Sequence, residues 1–318
     1  MVVEGYASHS FHAADRAWPE TNCYVDVWIE LLHSLGLEVA PLFPFTLASD
    51  FEGDQWTFYK PSHRDLFDLY GIEVEEMTVW KELTSHCHEQ VLRERIPMVE
   101  MDSFYLPDTR GRGYRDWHAK TTIGITQIDP TRETLVYFHN RGLFELEGAD
   151  FRGLFRIDPA PSPSDLPPYG EIVKLDRLRR PDRSDLSKLT VDLVRMYVGR
   201  RPTTNPIHRF AEVVDEHLSQ LLDGRSDSYD DYAFATIRQC GSCFGFSADS
   251  LNWLAQEDER WSGAAEPFAR ISSTASMLVM KMARIVHSGR LRSLQDSFAE
   301  MAEAWDEGME DLERRLAS

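Results

Sequence analysis

Residues 21–38, Thr-Asn-Cys-Tyr-Val-Asp-Val-Trp-Ile-Glu-Leu-Leu-His-Ser-Leu-Gly-Leu-Glu, decide how the first half of the chain is read. Val25, Trp28, Ile29 and Leu32 recur at the spacing of one helix face, Thr21 or Asn22 can cap the start, and Gly36 ends it. The pattern predicts a helix over 22–35. Cys23 falls in its first turn, where unpaired backbone N–H groups and the positive end of the helix dipole stabilise a thiolate. That makes Cys23 a candidate nucleophile. A lone cysteine more often packs as a small hydrophobe, so its chemistry depends on partners elsewhere.

Working outward, residues 51–59 read as extended, and 63–70 and 84–95 as short helices, the first closed by Gly71. Three strands follow, over 97–105, 121–128 and 134–139, ending at Pro107, Asp129-Pro130 and Asn140-Arg141-Gly142. Short strands joined by turn residues predict an antiparallel sheet and an α+β class. Residues 159–170, Pro-Ala-Pro-Ser-Pro-Ser-Asp-Leu-Pro-Pro-Tyr-Gly, continue neither helix nor ladder. The expected division is therefore 1–158, a linker at 159–170, and an all-α domain at 171–318. Helices are expected there over 184–197, 206–222, 229–238, 247–255, 266–288 and 291–316.

A chain of 318 residues can bury one large core or two ordinary ones. Thirty-four Lys and Arg against 53 Asp and Glu give a net charge of −19, a field that repels phosphate backbones, so nucleic-acid binding is not expected. No basic, apolar leader opens the sequence and no apolar run reaches about 18 residues, which points to a cytoplasmic protein without a membrane partner. Cys23, Cys87, Cys240 and Cys243 are too few and too scattered for a disulfide framework and are read as thiols.

A thiol at a helix start paired with an imidazole on a strand far downstream is the papain-like arrangement. His118 opens the strand His-Ala-Lys-Thr-Thr-Ile-Gly-Ile, and Asn140 closes the next, in Leu-Val-Tyr-Phe-His-Asn. A third group of this kind fixes the tautomer and orientation of the base. The plainer readings are a surface histidine at a strand edge and an asparagine in a turn.

The run 21–38 resembles the nucleophile helix of butirosin-type aminoacyltransferases and the related bacteriocin-processing cysteine peptidases. Val-Glu-Met-Asp-Ser-Phe-Tyr-Leu-Pro-Asp, Trp-His-Ala-Lys-Thr-Thr-Ile and Leu-Val-Tyr-Phe-His-Asn are similar to their later strands, in the same order. The chain is also similar, over nearly its full length, to an uncharacterised bacterial family. By motif the resemblance covers about residues 15–158, and beyond that only helical character.

The resemblance implies a papain-like fold for the first domain, with Cys23 as nucleophile, His118 as base and Asn140 as its orienter. It implies acyl or aminoacyl transfer in natural-product biosynthesis, from the phosphopantetheine thioester of a carrier protein to an amine-bearing small molecule. No bound cofactor or metal is expected. A cysteine peptidase or amidase with the same dyad, and a non-enzymatic interaction protein on a degenerate peptidase fold, are the alternatives. Two positions depart from the family. Asn22 stands where the acyltransferases tend to have His, and Ala17, Trp18 and Glu20 stand where papain-like peptidases carry an oxyanion Gln. The Cys23 N–H with the Asn22 amide can supply that hole.

Other signals rank lower. Cys240-Gly-Ser-Cys243 has redox spacing but lies among helices. His86-Cys87-His88 and His9-x-x-His12 lack a metal-site pattern and read as solvated histidines. The carboxylates Asp50, Glu52, Asp54, Glu100 and Asp102 suit acid–base work, with nothing to choose among them. The basic stretch with Lys174, Arg177, Arg179 and Arg180 reads by default as a solvated face and, more sharply, as a dock for an acidic carrier or its phosphate. Trp253, Phe268, Met277, Phe298 and Trp305 read as core.

Overall fold

The computed structural model describes residues 3–158, 166–224 and 229–317. Helix α1 (Cys23–Ser34) begins where Asn22 caps it, the Asn22 Oδ1 accepting from the Val25 N–H at 3.0 Å. It ends just before Gly36, whose φ of 68° lies in the left-handed region that glycine adopts without strain. Val25, Trp28, Ile29 and Leu32 are fully buried, as their spacing predicts.

Along the chain follow α2 (His63–Tyr70), β1 (Glu73–Glu76), α3 (Leu83–Leu92), β2 (Ile96–Asp102), β3 (Lys120–Asp129), β4 (Thr134–His139), β5 (Gly142–Glu147), α4 (Ala149–Leu154) and β6 (Gly170–Lys174). The six strands form one antiparallel sheet in the order β1-β6-β2-β3-β4-β5. Side chains alternate across it. Ile123 and Ile125 of β3 join Cys87 of α3 and Phe151 of α4 in one core, while Gly124 faces α1. A Cβ at Gly124 would sit 3.1 Å from Val27 Cγ1, so glycine is what lets the helix lie this close to the sheet.

The described residues divide into two compact units, 1–38 with 66–180 and 39–65 with 181–318, which differs from the expected division at two places. Strand β6 lies where a linker and then helices were expected. Its residues pair with both β1 and β2, so the sheet holds the chain to about residue 180. Residues 159–165 of the expected linker lie outside the described residues. The second difference is 39–65, which belongs with the helical unit because its apolar side chains find their partners there. Phe43 stacks on Phe246 at 4.2 Å, and Tyr59 and Thr46 each donate or share a 2.7 Å hydrogen bond with Ser242 and Ser247. The extended segment expected at 51–59 reduces to one bridge, Phe51 to Trp56.

The helical unit continues with α5 (Arg183–Gly199), α6 (Pro206–Leu222), α7 (Tyr229–Ala233), α8 (Gln239–Glu257), α9 (Glu266–Ser288) and α10 (Gln295–Ala317). A π-helical turn at Phe234–Arg238 joins α7 to α8. Trp253, Phe268, Phe298 and Trp305 are buried, but Met277 is 54% exposed. Met277 stands two residues past Ala275, on the turn of α9 opposite its buried stripe of Ile271, Ala275, Leu278 and Met282. Among the described residues no helix is long and apolar enough to cross a membrane.

Candidate active site

Cys23 is the first residue of α1 and is partly exposed. Its Sγ lies 3.7 Å from the Thr122 hydroxyl on β3. Register places Thr122 opposite Glu100 and Lys120 opposite Asp102, so these four residues share the α1-facing side of β2 and β3. Lys120 donates to Glu100 at 2.7 Å.

His118 stands two residues before β3. Its Nδ1 is 2.6 Å from Asp102 Oδ2, and its ring stacks on Phe104 at a centroid distance of 4.3 Å. With Nδ1 held by a carboxylate, the tautomer that leaves Nε2 as the basic nitrogen is favoured. Asp102 is therefore the side chain found beside the imidazole where sequence reasoning expected Asn140. Asn140 occupies the tight turn between β4 and β5 with φ 45°, the left-handed conformation that asparagine tolerates. Among the described hydrogen bonds none links Asn140 to His118. The clue to Asp102 was present in Glu-Met-Asp, which puts residues 100 and 102 on one strand face, but its partner strand was needed to choose between them.

No hydrogen bond joins Cys23 to His118 among the described residues. His118 lies four residues up the chain from the thiol's contact, or about 13 Å if the strand were fully extended at 3.3 Å per residue. Thiol and imidazole thus lie near the same end of β3 without a hydrogen bond between them among the described residues. Such pairs often close only around a substrate.

Asn22 is 1% exposed, and its carbonyl oxygen serves as the helix cap. The basic residues expected as a carrier dock all have partners in their own unit. Lys174 pairs with Glu75 at 2.7 Å and Arg177 with Glu73 at 3.7 Å. Arg179 donates to the carbonyls of Phe67 (2.6 Å) and Asp68 (3.0 Å) in the last turn of α2, and Arg180 to that of Leu35 (3.3 Å) just past α1. Cations at helix C-termini satisfy orphan carbonyls, which gives this stretch a structural task.

Cys87, Cys240 and Cys243 are fully buried. Burial pushes the Cys87 and Cys243 thiols up to about 12 and Cys240 well above its ordinary value, so the redox-spaced pair packs as core. His12 and His86, expected to be solvated, are buried too. His86 Nε2 accepts from the Trp80 N–H at 3.2 Å. His12 Nδ1 meets Glu30 on α1, and its Nε2 lies 3.5 Å from Asp26 Oδ1, an ion-pair distance too long for a good hydrogen bond. Among the described residues no group of three or more His, Cys, Asp or Glu could hold a metal ion.

A second hydroxyl–imidazole–carboxylate chain was missed by the sequence reading. His139 Nε2 is 2.8 Å from Thr121 Oγ1, its Nδ1 is 2.6 Å from Asp108 Oδ2, and Tyr137 donates to Asp108 Oδ1 at 2.6 Å. His139 is 1% exposed, so no substrate reaches it. Its effect is to fasten the turn at 107–109 to β3 and β4. Burial works to raise the Asp108 carboxyl, but the His139 charge and hydrogen bonds hold it below its ordinary value.

Comparison with curated proteins returned no match. Residues 7–175 match the DUF1839 N-terminal domain and residues 183–314 the DUF1839 C-terminal domain, a division that falls after β6 as the sheet requires. The chain belongs to the DUF1839 family.

Proposed function

We propose that this protein is a thiol-dependent acyltransferase of papain-like fold in which Cys23 is acylated and His118, oriented by Asp102, moves the proton. The supporting observation is the His118–Asp102 pair at the leading end of the strand whose Thr122 touches the Cys23 sulfur. The Cys23 sulfur attacks a thioester carbonyl, the bond to the donor thiol breaks, and the donor leaves with the proton. An amine then attacks the acyl-enzyme, giving an amide and freeing Cys23. Backbone N–H groups at the start of α1 suit the developing oxyanion. The resemblance to the aminoacyltransferases supplies the donor, an acyl or aminoacyl group on a carrier protein.

Hydrolysis is the second reading, because the His118 side chain is 66% exposed and water can reach it. The non-enzymatic reading calls for a Cys23 packed away from His118 in a closed core; Cys23 has no hydrogen bond to His118 among the described residues but is partly exposed, which favours the enzyme. Thioester consumption followed with and without an added primary amine tests the proposal. Amide formation that requires Cys23 and His118 supports transfer, acid release that the amine does not alter supports hydrolysis, and turnover unchanged in Cys23→Ser would refute both.

A further inference from the structure

Beside His118, within the sheet-bearing unit, lies an open cleft of about 1020 Å³, at the upper end of small-molecule sites. Cys23 is not among its lining residues, whereas His118 and Asp102 are. We infer that this cleft, on the proposed transfer reading, is the acceptor subsite, and that it takes an amine carried on an apolar body.

The walls argue for the apolar body. Met101 of β2, Leu83 of α3, and Leu154, Phe155 and Ile157 from the end of α4 onward supply hydrocarbon surface. Both lysines in the wall are already paired with carboxylates, and Asp102 and Arg156 are already hydrogen-bonded. Lys120 is held by Glu100 at 2.7 Å, Lys81 by Glu89 at 3.0 Å, Asp102 by His118 at 2.6 Å, and Arg156 donates to the Leu166 carbonyl at 3.3 Å. His118 Nε2 remains as an acceptor for one N–H.

The position argues for the acceptor rather than the donor, because the cleft touches the base and not the thiol. The amine nitrogen attacks the carbonyl carbon of acyl-Cys23, the C–N bond forms and the C–S bond breaks. The proton lost from nitrogen passes by way of His118 Nε2 to the Cys23 sulfur.

Calorimetric titration of the Cys23→Ala protein with phenethylamine, and with ethanolamine as the polar comparator, measures the subsite without turnover. Phenethylamine is expected to bind at least about tenfold more tightly, from the apolar area its ring buries. Ile157→Asp, at a side chain already 46% exposed and so of little risk to the core, is expected to weaken phenethylamine about tenfold with an unaltered far-ultraviolet spectrum. Equal affinities for the two amines, or phenethylamine binding indifferent to Ile157→Asp, overturn the assignment. Iodoacetamide labelling of Cys23 in the native protein separates the two layers. A reactive Cys23 without amine selectivity removes this subsite alone, and selective binding beside an inert Cys23 overturns the acceptor role together with the transfer reading.

Discussion

At the scale of single residues the four thiols differ in access. Cys23 is partly exposed at a helix start, whereas Cys87, Cys240 and Cys243 are fully buried with thiols pushed up by burial. Iodoacetamide at neutral pH should alkylate Cys23 alone in the native protein, with the other three reacting only after denaturation; peptide mapping that finds uniform labelling would refute this. The proposed orienting residue gives a second test. Asp102→Asn should lower thioester turnover by about a hundredfold or more, because the imidazole loses its favoured tautomer, while Asn140→Ala should leave most of the activity. The reverse ranking of the two variants would return the orienting role to Asn140. The places of Cys23 at a helix start and of His118 ahead of a strand were legible because both are local features. Asp102 was not, since its value depends on β2 pairing with β3, and register is a long-range property.

Single elements were read best where the local signals agreed. Helix α2, β4, α6 and α9 begin and end at the residues expected, each bounded by glycine, proline or a turn. β1, β5, β6 and the short α4, of four to six residues each, escaped because they lack the run of β-branched and aromatic residues between turn signals that marked β4. Also unforeseen was how α1 gains a polar face. His12 is enclosed with Asp26 and Glu30, and Tyr6 donates to Glu30, so the chain preceding the helix is tied to it. Burial acts to lower the His12 value, but the two carboxylates beside it, Asp26 and Glu30, outweigh that and raise it from 6.5 to about 9. A raised folded-state value means that the stabilisation is fully present below pH 6.5 and is lost as pH climbs through about 9. For Glu30, burial acts to raise the carboxyl, but its bonds to His12 and Tyr6 hold it below its ordinary 4.5, so its share is lost in acid. Urea midpoints should fall from about pH 6 to about pH 10, and His12→Gln should flatten that alkaline loss; equal slopes for the two proteins would contradict the linkage.

At the scale of the whole molecule the sequence located the sheet-bearing half and the helical half, but it could not see that the helical unit borrows residues 39–65 from upstream. Apolar composition says that Leu42, Phe43 and Phe45 are buried without saying against what. A fragment of residues 181–318 would therefore expose the face of α8 that carries Phe246 to Phe43 and Ser242 to Tyr59. It should unfold without a cooperative transition and bind a hydrophobic dye, whereas a fully cooperative fragment would show that 39–65 is dispensable. The family match spans both units but leaves the chemistry open, so the central claim rests on one sulfur. Its most direct test is intact-mass spectrometry of the full chain after incubation with a panel of acyl and aminoacyl carrier proteins, followed by peptide mapping. The account predicts a mass increase equal to the acyl group, located on Cys23, discharged by an added amine and absent from Cys23→Ala. No adduct with any donor, or one that persists in Cys23→Ala, would contradict it.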